Sequence, residues 1–350
     1  MELTKKPTEK EYRALPVDSS SSLKDFCVDR KKYYRKYILN ETIKEKDNQA
    51  VNTGQLVETL LMEPELFDKR FFMSSCASPP TGLMLEFVNA LFEETIKYTN
   101  EDGEPTRSFE YIANEAYIKS GFKLPIATVL NKFEGGDAEI YYNELTTVRL
   151  NGLTVVSTND VSNAERVVEE LKINFVTSPF INLETGGRFT VINQLQIPLY
   201  EIDGHTFKSM LDKVIVDNKL KTIKVIDLKC SWNVENFYEE YYLYRRTYIQ
   251  AYLYRQAVLS LTKDKNHPWY GYTVGNTMFM VCDSVNYSNP LIFTLDDSDM
   301  EDAYNGFEHK GRTYKGVGKL IAELKWALNE GIWNMSMEDY LSLGVVNIKR

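Results

Sequence analysis

Two runs of apolar and β-branched residues, separated by a short polar tract, lie beyond the middle of the chain. The first run is Val214-Ile215-Val216, and the second extends from Ile223 to Leu228. Between them lies Asp217-Asn218-Lys219-Leu220-Lys221, and strand-like runs on either side of an Asp-Asn pair are typical of a β-hairpin. Further strands are predicted over residues 182–199, 268–282 and 290–295.

Helical spacing of apolar residues predicts most of the remaining elements. Serines at positions 19–22 cap a helix that continues through the basic run 30–37. The apolar face that follows Gly54 belongs to a second helix, which Pro64 ends. Other helices are predicted over residues 83–98, 109–120, 125–133, 162–175, 238–261 and 319–329, with a loop or short helix over 301–318.

Proline, glycine and charge patterns predict the domain organisation. Residues 1–17 are charged and contain two prolines, so we expect a loosely held arm. Residues 18–350 are expected to form a single domain with a mainly helical insert over about residues 83–160. The aromatic helices of that insert suit a cover over a site or a docking face, and simple packing explains them equally well.

The composition is that of an ordinary globular protein, with 43% hydrophobic and 26% charged residues. A net charge of −9 argues against a protein that binds nucleic acid through bulk electrostatics, although it leaves room for a local basic groove. Residues 29–46 hold seven Lys or Arg against three acids. This segment fits either a solvated helix face or a contact with phosphates.

Cysteine spacing and hydropathy predict the surroundings of the protein. The four cysteines are scattered without a C-x-x-C pair, which favours reduced thiols in the cytoplasm over disulfides or a structural zinc site. The chain starts without an apolar signal segment and lacks any apolar run of about 18 residues. We therefore expect a protein that is neither exported nor membrane-spanning.

Two carboxylates interrupt the apolar pattern of the hairpin. Asp227 lies inside the second run, and Asp212 comes just before the first. Charged groups are rarely buried unless they are paired or bind a metal. Folding the hairpin about residues 217–221 brings Asp212 beside Asp227, and alternation along the strand places Lys229 on the same face as Asp227. With the Leu228 carbonyl, these oxygens would suit Mg²⁺ or Mn²⁺.

Single motifs leave other interpretations open. An Asp-x-Lys pair alone is equally typical of a charged ladder on a solvated sheet. Glu58 lies at the edge of the apolar face that follows Gly54 and, by itself, is most typical of a surface glutamate. The order of motifs along the whole chain is more specific than any one of them.

Taken together, the motifs resemble the PD-(D/E)XK nuclease superfamily, and within it the RecB/exonuclease VIII-like branch of phage-type recombination exonucleases. The resemblance covers residues 18–72 and 190–282, and it is specific through the order and spacing of the motifs. The matching segments are Ser20-Ser21-Ser22-Leu23, Arg30-Lys31-Lys32-Tyr33-Tyr34, Thr53-Gly54-Gln55-Leu56-Val57-Glu58, Asp212, Asp227-Leu228-Lys229 and Gln250-Ala251-Tyr252-Leu253-Tyr254.

That resemblance implies a fold and a chemistry. The fold would be α/β, with a PD-(D/E)XK restriction-endonuclease-like core, a small mixed β-sheet flanked by helices, and a helical insertion. The activity would be that of an Mg²⁺- or Mn²⁺-dependent deoxyribonuclease. It would act as an exonuclease on double-stranded DNA ends, for recombination or repair, in a bacterial or phage-infected cytoplasm.

The resemblance also assigns roles to single residues. Catalysis is assigned to Asp212, Asp227 and Lys229, and metal binding to Glu58, Asp212, Asp227 and the Leu228 carbonyl. DNA binding or ordering of the site is assigned to Gln250, Tyr254, Arg245, Arg246, Ser231, Arg30 and Arg35. Glu58 stands where many relatives have a histidine, and only Cys282 follows the Q-x-x-x-Y helix, so no iron–sulfur cluster is expected.

Partners and rival functions follow from what the sequence lacks. Without a helicase or ATPase motif, processivity would come from ring-like homo-oligomerisation or from a single-strand annealing or recombination protein. A structure-selective or CRISPR-adaptation-like endonuclease and a catalytically idle DNA-binding scaffold stay open as alternatives. The three histidines of the chain leave little for a zinc hydrolase.

Overall fold

The computed structural model describes residues 8–41, 49–76, 78–149, 152–286 and 288–345. Helices over these residues are α1 Glu9–Ala14, α2 Ser20–Val28, α3 Arg30–Tyr33, α4 Gln49–Met62, α5 Phe67–Arg70, α6 Gly82–Lys97, α7 Phe109–Ser120, α8 Ile126–Phe133, α9 Asp137–Arg149, α10 Thr158–Ile173, α11 Ser178–Ile181, α12 Thr247–Lys263, α13 Asp297–Asn305, α14 Val317–Glu330 and α15 Met337–Leu341. Shorter helical turns cover Tyr34–Ile38, Pro64–Leu66 and Tyr238–Tyr244. Among the described helices, none combines the length and the apolarity that crossing a lipid bilayer requires.

The strands are β1 Phe71–Met73, β2 Thr154–Val156, β3 Phe189–Ile202, β4 His205–Asp217, β5 Thr222–Ser231, β6 Thr273–Asp283, β7 Leu291–Leu295, β8 Gly306–His309 and β9 Arg312–Lys315. The chain divides into two compact units: one combines the chain up to residue 49 with residues 169–350, and the other comprises residues 50–168. The segment expected as a helical insert, residues 83–160, lies within the second unit.

A five-stranded mixed sheet forms the first unit's centre, in the order β3-β4-β5-β6-β7. Neighbouring strands are antiparallel except β5 and β6, which are parallel. The sheet and its flanking helices confirm the expected mixed α/β fold. The hairpin is confirmed as well, since β4 and β5 pair from Lys213–Ile226 to Asp217–Thr222. The parallel pair requires a crossover, which residues 232–272 supply and which contains α12.

An ion pair fixes the base of the hairpin turn. Arg188 Nε donates to Asp217 Oδ2 at 2.8 Å, and the Lys219 and Leu220 amides donate to Asp217 Oδ1 at 3.0 Å. These contacts, with Arg188 as the largest contributor, lower the pKa of Asp217 to about 2. Because a turn sets the register of its hairpin, they also determine which residues of β4 and β5 face each other farther along.

The core of the first unit consists of apolar side chains from the sheet and from α2, α12 and α14. Phe237, only 1% exposed, shows how closely this core is packed. Its ring centroid lies 4.8 Å from that of Phe293, 5.2 Å from that of Phe279 and 5.3 Å from that of Tyr241. Aromatic contacts of this kind add to the stabilisation that comes from burial alone.

The N-terminal segment described from residue 8 onward is tied to the sheet. Lys208 on β4 donates to the carbonyl oxygens of Tyr12, Arg13 and Leu15 at 3.1, 3.0 and 2.7 Å. The ammonium therefore caps the carboxyl end of α1. Residues 1–7 of the expected arm lie outside the described residues.

The second unit is mainly helical. Helices α6, α7, α8 and α9 pack around a core that includes Phe87, Leu91, Ile112 and Val129. Three of these helices lie where apolar spacing predicts them, with bounds that differ by about one residue. The parallel pair β1–β2 was not predicted, because strands of three residues offer too few alternating positions to recognise.

Two predicted helices are interrupted. The expected continuous helix over residues 238–261 is wrong, because a π-helical turn ends at Tyr244 and α12 begins at Thr247. Arg246 between them has φ +54°, a left-handed conformation that no helix continues through. The opening helix also breaks, at Asp29, whose extended backbone ends α2 while its carboxylate caps the first amides of α3. The break occurs because the Asp29 side chain caps α3, and this interaction competes with the continuation of α2.

A second hairpin replaces part of the expected loop or short helix over residues 301–318. Helix α13 ends at Asn305, and β8 and β9 then pair antiparallel. Lys310 and Gly311 form the turn with φ of +50° and +73°, the two positive values that a tight two-residue hairpin turn requires.

Gly316 lies where two backbone segments meet. A β-carbon at this position would overlap the Tyr304 carbonyl oxygen and the Gly306 amide nitrogen. Backbone atoms cannot turn aside as a flexible side chain can, so Gly316→Ala should lower the free energy of unfolding by about 1–3 kcal/mol or more. Urea denaturation followed by circular dichroism would measure the loss.

Gly186→Ala is the matched control for this prediction. A β-carbon at Gly186 meets no atom within 4 Å, and the residue is exposed. Its replacement should change the urea midpoint little. Equal midpoints for the two variants would contradict the steric account of Gly316.

Candidate active site

Strand β5 carries a fully buried aspartate, Asp227. Its Oδ1 accepts a hydrogen bond of 2.7 Å from Gln250 Nε2, and its Oδ2 forms an ion pair with the Lys229 ammonium. Asp227 and Lys229 thus share one face of the strand, as side-chain alternation predicts. A carboxylate removed from water is stable only with partners of this kind.

Asp212 reaches the same segment from β4. It lies one residue beyond Lys213, whose pairing with Ile226 is the last of the β4–β5 ladder. Beyond that pair, the Asp212 side chain binds β5 in place of a backbone group. Its Oδ2 accepts a hydrogen bond of 2.8 Å from the Leu228 amide. The Asp212 carboxylate is therefore bound to the residue that follows Asp227 in the chain.

Helix α12 contributes the Gln250 and Tyr254 side chains, which lie one turn apart and are both buried. Gln250 Nε2 donates to the Tyr254 hydroxyl at 2.9 Å as well as to Asp227. Because a carboxylate only accepts hydrogen bonds, the amide nitrogen must face Asp227. The amide oxygen then faces away and accepts a 3.4 Å hydrogen bond from Lys24 Nζ on α2.

Lys24 was not among the site residues predicted from the sequence. Burial lowers the pKa of its ammonium to about 8, with repulsion from Lys229 as the next contribution and attraction to Asp227 opposing both. The available signal was its place in a capped helix beside the buried Leu23. That signal did not show which distant residue the ammonium would meet.

The donor set of this cluster fits a hard divalent cation. Asp212, Asp227 and the Leu228 carbonyl supply oxygen atoms, and the buried Asp227 Oδ2 is held by the Lys229 ammonium. In the described ranges no group of three or more His, Cys, Asp or Glu side chains could hold a metal. Mg²⁺ commonly uses one or two carboxylates and keeps several of its waters, so two carboxylates and a carbonyl suffice.

The Lys229 ammonium lies among these oxygens. Its Nζ is 3.4 Å from the Leu228 carbonyl oxygen, in addition to its ion pair with Asp227. The side chain is 20% exposed, so it connects the buried carboxylate with solvent. Glu58 lies on α4 of the second unit, and its role as a metal ligand stays a prediction.

The predicted DNA-contacting arginines have varied surroundings. Arg30 pairs with the buried Glu323, and Arg35 is exposed and pairs with Glu41 at 2.6 Å. Arg245 is exposed; its guanidinium lies 4.3 Å from the Tyr241 ring centroid and donates to Glu240 at 3.1 Å. Arg246 donates to the Tyr244 carbonyl oxygen at 3.1 Å. All four stay predicted contacts.

Two further polar features lie at the end of β5. The Ser231 hydroxyl donates to the Asn233 carbonyl at 3.0 Å and accepts from the Asn233 amide at 3.1 Å, which shapes the turn after the strand. The Cys230 and Cys282 sulfur atoms lie 3.3 Å apart at paired positions of β5 and β6. Both are free thiols, as are Cys27 and Cys76.

Comparisons with known proteins add little to this picture. No protein-family model and no curated protein matches the chain. A solved structure from Eubacterium rectale, a protein provisionally designated an exonuclease, aligns with 99% of this chain and 96% of its own, at 12% identity and a TM-score of 0.47. This similarity concerns the course of the backbone and carries no information on activity.

Proposed function

We propose that this chain is a metal-dependent deoxyribonuclease of the PD-(D/E)XK type, with Asp212, Asp227 and Lys229 as its catalytic residues. One observation supports the proposal above all: the Asp212 carboxylate is bound to the Leu228 amide, directly between Asp227 and Lys229 in the chain. A charged ladder on a solvated sheet would leave these groups exposed. Asp227 is instead fully buried, and charged groups are rarely buried unless they are paired or bind a metal.

Each of these residues would have a separate role in phosphodiester hydrolysis. Bound Mg²⁺ or Mn²⁺ would lower the pKa of a coordinated water and neutralise charge that develops on the phosphate. Asp212, Asp227 and the Leu228 carbonyl would hold the ion. Gln250 holds Asp227 Oδ1, and Oδ2 faces the Lys229 ammonium. The Lys229 ammonium donates a hydrogen bond to the attacking water or to a phosphate oxygen.

The substrate we propose is double-stranded DNA, degraded from its ends for recombination or repair in the cytoplasm. The exposed Arg245 and the neighbouring Arg246 stand at the start of α12, about one helical turn before Gln250. Guanidinium groups at that distance would hold the DNA backbone beside the site. A single-strand annealing or recombination protein, or a ring-like homo-oligomer, would supply processivity.

Purified protein incubated with linear blunt duplex DNA and with closed-circular DNA tests the proposal. Loss of the linear form in Mg²⁺ or Mn²⁺, an intact circle and no reaction in EDTA are expected. Nicking of the circle would replace the exonuclease with an endonuclease. DNA binding without cleavage of either form would indicate a scaffold and overturn the enzymatic assignment.

A further inference from the structure

Helix α2 places a second lysine, Lys24, near the proposed catalytic strand. The helix begins after Ser19, which is held in a capping box with Ser22, and its Leu23 and Phe26 are fully buried in the core. The cap and these two anchors fix the rotation of the helix. The Lys24 side chain is thereby directed toward α12, where its Nζ lies 3.4 Å from Gln250 Oε1.

The ammonium of Lys24 has few partners within the described residues. Its long hydrogen bond to Gln250 is the one it makes there, although an ammonium has three donors. Asp25, the nearest acid on its own helix, is already bound by Lys32 and Tyr37 at 2.9 Å. Asp227 is likewise held by other groups, as described above. Lys24 is thus a half-buried cation that makes no ion pair with any residue of the described ranges.

The charges that face Lys24 also favour an added anion. Lys229 on β5 and Arg245 before α12 repel the ammonium, while Asp227 and Asp25 attract it. Burial and repulsion together lower the pKa of Lys24 to about 8. A phosphate oxygen between the two lysines would accept their remaining hydrogen bonds and offset their repulsion, and hydrogen bonds between charged groups are the strong ones.

We infer that Lys24 is a second phosphate-binding residue of the site, which contacts a non-bridging oxygen of the substrate beside Lys229 and holds the Gln250 amide toward Asp227. The inference rests on the proposed nuclease function for the identity of the anion. Its geometry is independent of that function, because Lys24 donates to the Gln250 amide oxygen while the amide nitrogen donates to Asp227. Lys24 therefore couples substrate binding to the orientation of a catalytic carboxylate.

Three variants test the inference: Lys24→Met, Lys24→Arg, and the control Lys265→Met, which removes one exposed charge from the loop after α12. Binding of a fluorescent blunt duplex is measured in EDTA over a range of salt concentrations, and cleavage is measured in Mg²⁺. Lys24→Met should weaken binding and reduce the salt slope by about 0.9, the value for one lost phosphate contact. It should also lower kcat/KM by about 10- to 100-fold, as the loss of a residue that orients a ligand does.

The Lys24→Arg variant distinguishes a role of the positive charge from a role in packing alone. It should keep the salt slope and most of the cleavage rate, because the positive charge and a donor to Gln250 remain. In wild type, cleavage should fall as the pH rises through about 8, where Lys24 loses its proton. In Lys24→Arg this decline should move to higher pH, since a guanidinium stays protonated. A purely structural role would not move the pH profile.

The outcomes for Lys24 and for the nuclease are distinguishable. Cleavage by wild type together with unchanged binding, salt slope and rates in Lys24→Met would overturn the role of Lys24 and leave the nuclease in place. Absence of cleavage by wild type would overturn the nuclease, while a reduced salt slope in Lys24→Met would still support phosphate binding. Absence of DNA binding by wild type would overturn both. Circular dichroism of each variant excludes loss of folding as the cause.

Discussion

Asp227→Asn is expected to slow metal-dependent cleavage of linear duplex DNA by about 10³-fold or more, equivalent to about 4 kcal/mol of transition-state stabilisation. The substitution keeps the shape of the side chain and its acceptor for Gln250, but it removes the charge that pairs with Lys229 and would bind the metal. Lys229→Ala should cause a comparable loss. Initial rates in Mg²⁺ and Mn²⁺, with circular dichroism to verify folding, measure both.

Asp217→Asn is the matched control because it changes an aspartate of the same hairpin, away from the site, and keeps the Oδ1 acceptor of the Lys219 and Leu220 amides that hold the turn. Its carboxylate binds Arg188, so thermal stability should decline while cleavage stays unchanged. Cleavage at the wild-type rate by Asp227→Asn or by Lys229→Ala would remove that residue from the catalytic set. An equal loss in Asp217→Asn would point to general damage of the sheet.

Phe237→Ala is expected to lower the free energy of unfolding by about 3–5 kcal/mol. The ring is 1% exposed and contacts three other aromatic rings, so its removal leaves a cavity that fixed neighbours cannot fill. Urea denaturation gives the change. Tyr244→Ala, at a residue that is 69% exposed, should change stability by no more than about 0.5 kcal/mol. Similar losses in both variants would contradict this description of the core.

The local parts of the site could be predicted from the sequence. The two-residue period of strands places Asp227 and Lys229 together, and the hairpin turn brings Asp212 to the same segment. The four-residue interval between Gln250 and Tyr254 likewise places both on one helix face. Each of these relations depends on regular geometry over a short stretch of chain. Sequence periodicity reports such geometry well.

The contacts that join distant segments could not be predicted in the same way. Lys24 and Gln250 are 226 residues apart, and their meeting depends on how α2 packs against α12. The left-handed Arg246 is a similar case, because apolar spacing looks alike on both sides of the break. The hairpin β8–β9 was missed because each strand has only four residues, which is too short for alternation to stand out.

The length of the hairpin arms also determines where the candidate site lies along the sheet. Asp212 lies five positions from Asp217 on one arm, and Asp227 lies five positions from Thr222 on the other, counted from the pair that closes the turn. The placement of both aspartates at the same level of the hairpin therefore depends on arms of equal length. Deleting one residue from either arm would turn one aspartate to the opposite face of the sheet without altering either of them.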